Sequence, residues 1–169
     1  RYLSLPGAHK KAKGNGYEGA QFPWESAWLD DGEVTPVWGA ADIVTGQPTK
    51  IWSGFIEQHI TADVAYGVWQ YYMVTGDQDF MDRYGYELLM DTALFWASRL
   101  EWSGQDKQYH INDVVGPDEY KEHADDNAYT NYMAHWNIGI AIRYYQELKE
   151  HKPQIYERLQ RVARPHRQT

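Results

Sequence analysis

Apolar residues recur at intervals of three or four along much of the chain, which is the spacing that places them on one face of an α-helix. The clearest stripe contains Ile60, Val64, Val68 and Tyr72, and it is broadened by Ala65 and Tyr71. We therefore expect a helix over residues 58–75. Gly76 is expected to end it, because glycine readily adopts the left-handed conformation that follows many helices.

Two further stripes predict helices over residues 79–100 and 126–149. The first stripe is formed by Phe80, Tyr84, Leu88, Phe95 and Trp96, and the second by Tyr129, Met133, Trp136, Ile140, Tyr144 and Leu148. Asp77 or Asp79 is expected to cap the helix over 79–100, because an aspartate side chain accepts hydrogen bonds from the free backbone N–H groups at a helix N-terminus.

Shorter elements lie around these helices. Residues 2–13 are compatible with a helix that ends in the Gly-Asn-Gly turn that follows. A short extended piece is predicted over residues 109–115, before a Gly-Pro break. Pro153 is expected to open a last short helix, and the polar tail 164–169 is expected to be loose.

The connection over residues 14–57 carries many Gly, Pro and Trp residues and shows no sustained period. A long irregular connection in a compact domain is uncommon and often functional, so we expect it to be ordered and to pack across one end of the helices. Nothing in the chain shows an alternation of consequence, which strands would produce. The pattern therefore predicts an all-α chain, whose successive helical hairpins suggest a helical toroid.

The aromatic residues are mostly those with a polar group, because there are 8 Trp and 14 Tyr but only 4 Phe. Such rings suit walls that are apolar on one side and polar on the other. A helical core rich in large residues is one interpretation, and composition alone favours it. Sugar binding is the other, because a pyranose ring offers C–H faces for stacking and hydroxyls for hydrogen bonds.

The formal net charge is −8, and no run of like charges forms a tail. Nucleic-acid binding is therefore disfavoured, since phosphates need clustered Lys and Arg. The absence of Cys excludes disulfides and thiolate chemistry and favours a cytoplasmic location. We find no signal peptide and no apolar run long enough for a membrane span. The start at Arg1, without Met, predicts a fragment or a processed chain.

The segment GPDEYKE, residues 116–122, places the adjacent carboxylates Asp118 and Glu119 after a rigid Gly-Pro turn and before a long helix. Cleavage of a glycosidic bond needs a carboxylic acid that protonates the leaving oxygen. A partly buried loop carboxyl beside another carboxylate suits this role, because both conditions raise the pKa of a carboxyl group. An acidic loop that merely caps the next helix is the simpler alternative.

Three other segments carry side chains suited to a pocket. Trp24 and Glu25, in GAQFPWES, offer a stacking face beside a hydroxyl acceptor, or alternatively a loop anchored by a buried Trp. His59 and Asp63, in EQHITAD, share a helix face; a hydrogen-bonded pair or a cap is favoured over a metal site, since no third ligand is evident. The segment DDNAYTN, which ends at Asn131, predicts a helix cap followed by polar groups on an inner face.

Together these segments resemble glycoside hydrolase family 65, the α-glucoside phosphorylases acting on maltose, trehalose and kojibiose together with their hydrolytic relatives. The matching stretches are GYEGAQFPWESA, EQHITADVAYGVWQYY, TGDQDF, FWASR and GPDEYKEHADDNAYTNYMAHWN. The resemblance runs from about Arg1 to about Tyr145. Within the family, FPWES and TPVWGAADIVTGQPTKIWSG look more like the kojibiose phosphorylases.

The resemblance implies that residues 1–169 form part of an (α/α)6-barrel catalytic domain, with four to five of its helices. The family's N-terminal β-sandwich and C-terminal parts have no counterpart in the chain. Glu119 matches the general acid of the family, and Asp118 is assigned to tuning or positioning it.

The same resemblance implies a sugar site around the remaining motif residues. Trp24 and Glu25 match positions that contact the glucosyl unit. His59, Asp63 and Asn131 match motif positions near the pocket, with no definite role implied. No metal or cofactor is implied, and the expected partners are a disaccharide and inorganic phosphate. The parent enzyme is expected to be a homodimer.

The implied reaction is inverting phosphorolysis of a kojibiose-like disaccharide, which gives β-glucose 1-phosphate and glucose. In a hydrolytic relative, water activated by a second carboxylate roughly 6.5–9.5 Å from the first takes the place of phosphate. The family's phosphate-binding loop and hydrolytic base both lie downstream of the matched motifs, so the isolated chain is expected to be inactive. A non-catalytic carbohydrate-binding or interaction fragment is the alternative from another class.

Overall fold

The computed structural model describes residues 2–27, 29 and 32–163, except for the side chains of residues 161–163. The helices are the 3₁₀ turn Tyr2–Ser4, α1 Leu5–Gly14, α2 Ser53–Ile56, α3 Ile60–Thr75, α4 Gln78–Phe80, the π-helical turn Met81–Gly85, α5 Tyr86–Arg99, α6 Ala128–His151 and α7 Pro153–Ala163. The strands are β1 Trp38–Ala41, β2 Pro48–Lys50, β3 Glu101–Ser103 and β4 Gln108–His110. Helix thus dominates, as the apolar spacing predicts. The tail 164–169, expected to be loose, lies outside the described residues.

The helix boundaries follow the predicted punctuation closely. Gly76 follows α3 in the left-handed conformation, with a φ of 67°. The side chain of Asp77 accepts a hydrogen bond from the N–H of Phe80 at 3.0 Å, so Asp77 rather than Asp79 is the cap. Pro153 is the first residue of α7. The predictions for these ends are confirmed.

The predicted helix over residues 79–100 is interrupted near its start. The π-helical turn Met81–Gly85 separates α4 from α5. A Cβ on Gly85 would lie 2.3 Å from the Sδ atom of Met81, so the buried Met81 side chain occupies the space beside that glycine. A π turn changes which residues face the core. Phe80 and Tyr84, which precede the regular part of α5, are only half-buried.

The expectation of an all-α chain is incomplete, because two small antiparallel sheets are present. β1 pairs with β2, and β3 pairs with β4. These strands are three or four residues long, and most of their side chains are exposed. A strand without a buried face carries no apolar alternation, which is why the sequence pattern does not reveal the hairpins.

The core forms where α5 packs against both α3 and α6. Leu88, Phe95 and Trp96 on α5 are fully buried there, and Val68 of α3 and Tyr144 of α6 are also buried. The large aromatic residues of α5 therefore serve the core, as composition alone suggests.

The connection after α1 is ordered and is held against three helices. Gly19, with a φ of 68°, approaches α5 so closely that a Cβ would lie 2.3 Å from the carbonyl oxygen of Asp91. The N–H of Gln21 donates to a carbonyl of α1 at 3.1 Å, and the N–H of Phe22 donates to Oγ1 of Thr61 on α3 at 3.0 Å. These contacts bring the following residues to the N-terminal end of α3.

One face of α3 is not covered. Tyr71, predicted to belong to the buried stripe, is 44% exposed, and Met73 and Val74 are also exposed. A groove of about 860 Å³ with mainly apolar walls runs beside this helix. In the part of the chain that the structure describes, no helix combines the length and the apolar character that crossing a membrane requires.

Candidate active site

The predicted acid loop, residues 116–122, is closed at its base and clamped on one side. Val114 and Ala124 exchange two backbone hydrogen bonds, at 3.0 and 2.8 Å, which bring the ends of the loop together. Gly116 lies against the side chain of Asn127, where an added Cβ would be 2.3 Å from Nδ2. Asn127 is the N-cap of α6, since its Oδ1 accepts the N–H of Thr130 at 3.0 Å. The helix cap predicted for the segment DDNAYTN is confirmed.

Glu119 lies at the exposed tip of this loop. Its Oε2 accepts a hydrogen bond from the hydroxyl of Ser53 at 3.1 Å. Asp118 is exposed as well, and its Oδ1 accepts the N–H of Tyr120 at 3.2 Å. The sequence suggests a partly buried carboxyl beside a second one. In this chain the loop projects outward, and the partner of Glu119 is a hydroxyl from α2.

His59 is buried, with a carboxylate at each ring nitrogen. Its Nδ1–H donates to Oδ2 of Asp63 at 2.7 Å, and its Nε2–H donates to Oε1 of Glu57 at 3.0 Å. Burial lowers the pKa of His59, but the hydrogen bonds to Asp63 and Glu57 outweigh it and raise that pKa to about 9. The ring is therefore an imidazolium at neutral pH. The predicted hydrogen-bonded pair is present, and Glu57 makes it a triad.

Two aromatic rings enclose this triad. Trp24 meets the His59 ring edge-on, with ring centroids 5.8 Å apart, and Tyr129 does so at 5.2 Å. The hydroxyl of Tyr129 donates to the second oxygen of Asp63 at 2.8 Å. Burial, together with the Asp63 carboxylate, raises the pKa of Tyr129 to about 12. Trp24, His59 and Asp63 thus lie together, as the sequence predicts, while Tyr129 completes the group from α6.

Glu33 organises the loop that carries Trp24 and Glu25. Its two oxygens accept the backbone N–H groups of Trp24 at 2.8 Å and Glu25 at 3.0 Å. Burial raises the pKa of Glu33, but the Lys11 ion pair and these hydrogen bonds outweigh it and lower that pKa. The Glu25 side chain is exposed and lies 3.1 Å from the hydroxyl of Thr35, whose shorter hydrogen bond, at 2.7 Å, goes to Glu33. Trp24 is half-buried, neither a deep anchor nor a free ring.

Asn131 belongs to a separate cluster. Its Nδ2 donates to Oδ1 of Asp126 at 3.1 Å, and Asp126 also binds the Nδ1 of His110 at 2.7 Å. The side-chain oxygen of Asn131 is buried without a hydrogen-bond partner among the described residues. The structure therefore does not join Asn131 to the His59 triad directly.

Sequence reasoning missed Ser53, Glu33, Glu57 and Tyr129. Glu57 and Tyr129 lie inside the quoted motifs, so the motifs themselves were the available signal. Ser53 and Glu33 lie in the irregular connection, where no regular pattern marks them, and Ser53 reaches Glu119 across 66 positions of the chain.

The surroundings of the site are open. Of the predicted site residues only Asp63 lines the groove beside α3. Among the described residues, no group of three or more His, Asp or Glu side chains is arranged to hold a metal ion.

A model of the glycosyl hydrolase family 65 central catalytic domain matches residues 1–167. The chain belongs to this family. This family 65 chain is 56% identical over 160 residues to the kojibiose phosphorylase of Halothermothrix orenii, covering 94% of the chain and 20% of that protein. It is 45% identical over 142 residues to the kojibiose hydrolase of Flavobacterium johnsoniae, covering 83% and 19% respectively.

A solved structure contains a segment with the same fold as this chain. It is a protein from the human microbiome that carries the kojibiose phosphorylase name provisionally; the TM-score is 0.72 at 26% identity, over 94% of this chain and 19% of that one. The chain thus spans about one fifth of the length of these relatives. Family membership confirms the resemblance inferred from the motifs.

Proposed function

We propose that the protein containing this chain cleaves kojibiose or a closely related α-glucosidic disaccharide by inverting phosphorolysis. One observation carries the proposal, namely the position of Glu119 within a family 65 domain. Glu119 is exposed at the tip of a clamped loop, and one of its carboxylate oxygens accepts a hydrogen bond from Ser53. The similarity to the phosphorylase of Halothermothrix orenii supports the choice of substrate.

Glu119 acts as the general acid in this mechanism. It gives its proton to the interglycosidic oxygen as the bond from that oxygen to the anomeric carbon breaks. An oxygen of inorganic phosphate forms a new bond to the anomeric carbon from the opposite face. The products are glucose and β-glucose 1-phosphate, and the Glu119 carboxylate regains its proton from solvent. Phosphate is the second substrate, and the reaction as written needs no cofactor.

We assign the glucosyl subsite to the surroundings of His59. The half-buried Trp24 ring offers a stacking face, and the exposed Glu25 carboxylate beside it accepts sugar hydroxyls. Asp63 lines an open groove. Asn131 lies in a separate cluster, so its part in sugar binding stays a prediction. Asp118 lies next to Glu119, and its only side-chain contact among the described residues, with the N–H of Tyr120, does not indicate a role in catalysis.

The chain is proposed to be part of an (α/α)6 barrel, completed by sequence that its relatives carry outside the matched region. The mutual packing of α3, α5 and α6 supports this proposal, and so does the fold shared with the human-microbiome protein. The phosphate-binding loop, the β-sandwich and the C-terminal parts would then come from the rest of the protein. The homodimeric state stays a prediction.

Hydrolysis is the second candidate, favoured by the 45% identity to the kojibiose hydrolase of Flavobacterium johnsoniae. The proton transfer from Glu119 would be the same, and water would replace phosphate. Release of glucose without phosphate, and without glucose 1-phosphate, would identify this reaction.

The first prediction is that Glu119→Gln, in the full-length protein, slows disaccharide cleavage by about 10²- to 10⁴-fold, because general acid catalysis is worth that much. The glutamine keeps the shape of the side chain and removes the proton. The measurement is phosphate-dependent release of glucose 1-phosphate from kojibiose, maltose and trehalose. α-Glucosyl fluoride needs little protonation of its leaving group and should be cleaved at nearly the parent rate.

Glu122→Gln is the matched control, since Glu122 is an exposed carboxylate in the same loop. It should leave the rate on the disaccharides almost unchanged. If Glu119→Gln keeps more than about a tenth of the parent rate on every disaccharide, the assignment of the acid is wrong and Asp118 becomes the candidate.

A further inference from the structure

The short helix α2 is joined to the acid loop on both sides of Ser53. The N–H of Val115, at the base of the loop, donates to the carbonyl oxygen of Ile56 at 3.1 Å. Trp52, just before α2, meets the ring of His123 edge-on, with centroids 4.4 Å apart. α2 and the acid loop therefore form one packed unit.

The same helix is anchored to the loop that carries Trp24. The ammonium group of Lys11 donates to the carbonyl oxygen of Gly54, within α2, at 3.2 Å. Lys11 also forms an ion pair with Glu33, whose carboxylate holds the N–H of Trp24. Ser53 therefore lies on a helix that contacts both the acid loop and, through Lys11 and Glu33, the loop that carries Trp24.

The Ser53 side chain is placed to control one oxygen of the acid. Ser53 is only 7% exposed, and its hydroxyl donates to Oε2 of Glu119 at 3.1 Å. A protonated carboxyl group has one O–H and one oxygen that only accepts. Because the carbonyl oxygen of a protonated carboxyl group is its better acceptor, a hydrogen bond from Ser53 to Oε2 favours the proton on Oε1, which has no partner among the described residues.

We propose that Ser53 is a positioning residue for the general acid, directing the transferable proton to the free Oε1 of Glu119. The inference rests on the proposed role of Glu119. When the proton leaves, Oε2 becomes part of a carboxylate, and hydrogen bonds to charged groups are roughly twice as strong as neutral ones. An interaction that strengthens as the reaction proceeds lowers the barrier rather than only aiding binding.

The second prediction is that Ser53→Ala, in the full-length protein, lowers kcat on kojibiose by about ten- to a hundredfold with little change in KM, as expected for a lost charge-assisted bond. The rate on α-glucosyl fluoride should change by less than about twofold, because that leaving group needs little protonation. The readout is the ratio of the two kcat values. Partial misfolding lowers both rates together and leaves this ratio unchanged.

Two further variants make the test decisive. Ser53→Thr keeps the hydroxyl and should restore most of the ratio. Ser103→Ala removes a hydroxyl that donates to the Asp106 carboxylate at the same distance of 3.1 Å in the β3–β4 hairpin, and it should leave the ratio unchanged. A parent-like ratio in Ser53→Ala overturns the inference, whatever the absolute rates. If Glu119→Gln also leaves the ratio unchanged, the proposed function of Glu119 fails as well, so the two failures are distinguishable.

Discussion

The imidazole of His59 is buried between two carboxylates. It is 5% exposed, and both of its N–H groups are used by Asp63 and Glu57. Such a ring has no hydrogen-bonding atom left for a sugar. We therefore interpret His59 as a support for the Trp24 and Tyr129 rings that pack against its edges.

The third prediction concerns the pH dependence of this triad. The pKa of His59 is raised from 6.5 to about 9 in the folded chain, so its contribution to stability is complete below about pH 6.5 and is lost as the pH rises through about 9. Thermal unfolding of the full-length protein, measured from pH 6 to 10, should show the melting temperature falling more steeply in the parent than in His59→Gln. Parallel curves for the two proteins would contradict the assigned charge.

Tyr129 and Glu57 both belong to the site around His59, but they differ in exposure and in contacts. Tyr129 belongs to the apolar stripe of α6 by spacing, yet it is 41% exposed, and its hydroxyl binds Asp63. Glu57 is 3% exposed and has one oxygen without a partner among the described residues. Tyr129 lies in the first turn of α6, beside the site, where the apolar face of the helix is no longer covered by the core.

At the scale of elements, the N-terminus of α6 and the acid loop share one contact. Gly116 fits only because it lacks a Cβ, since Asn127 fills the space beside it while capping the helix through Thr130. The position of Glu119 and the start of α6 are therefore coupled. A change that moves the Asn127 side chain should affect both stability and catalysis.

The fourth prediction is that Gly116→Ala destabilises the protein by about 1 kcal/mol, the usual cost of losing a cap, and also slows cleavage of kojibiose. Thermal unfolding and kcat of the full-length protein would be measured together. Gly104→Ala is the control, because a Cβ there meets nothing within 4 Å. Parent-like stability and rate in Gly116→Ala would show that the Asn127 side chain can turn aside at no cost.

At the scale of the whole molecule, the chain leaves apolar surface without cover. Tyr71, Met73 and Val74 are exposed on α3, and Ile142 and Tyr145 are exposed on α6. Monomeric proteins seldom expose large contiguous apolar patches. Because relatives are about five times as long, we attribute the cover to the other helices of the proposed barrel.

The fifth prediction is that residues 1–169, produced alone, associate at micromolar concentration, bind a hydrophobic dye and show no cleavage activity. The full-length protein should bind the dye far less, because its other helices would bury these faces. Analytical ultracentrifugation and dye fluorescence would test the expectation. A stable, dye-silent monomer of residues 1–169 would contradict it.

Local pattern was sufficient for much of the helical fold. Helix periodicity and capping depend on residues at most four positions apart, so α3, α6 and the Asp77 cap could be predicted from the sequence. Motif order was sufficient for the family, and the role of Glu119, which rests on the same motifs, stays a prediction. The short hairpins could not be predicted, because exposed strands of three or four residues carry no apolar alternation.

The sequence by itself thus determined the main helices and the family. Only the tertiary structure decided which side chains meet. Ser53 reaches Glu119, and Tyr129 reaches Asp63, each across 66 positions in the chain. Such contacts depend on how α2 and α6 pack beside the loops and the end of α3, and packing between distant segments leaves no periodic trace in the sequence.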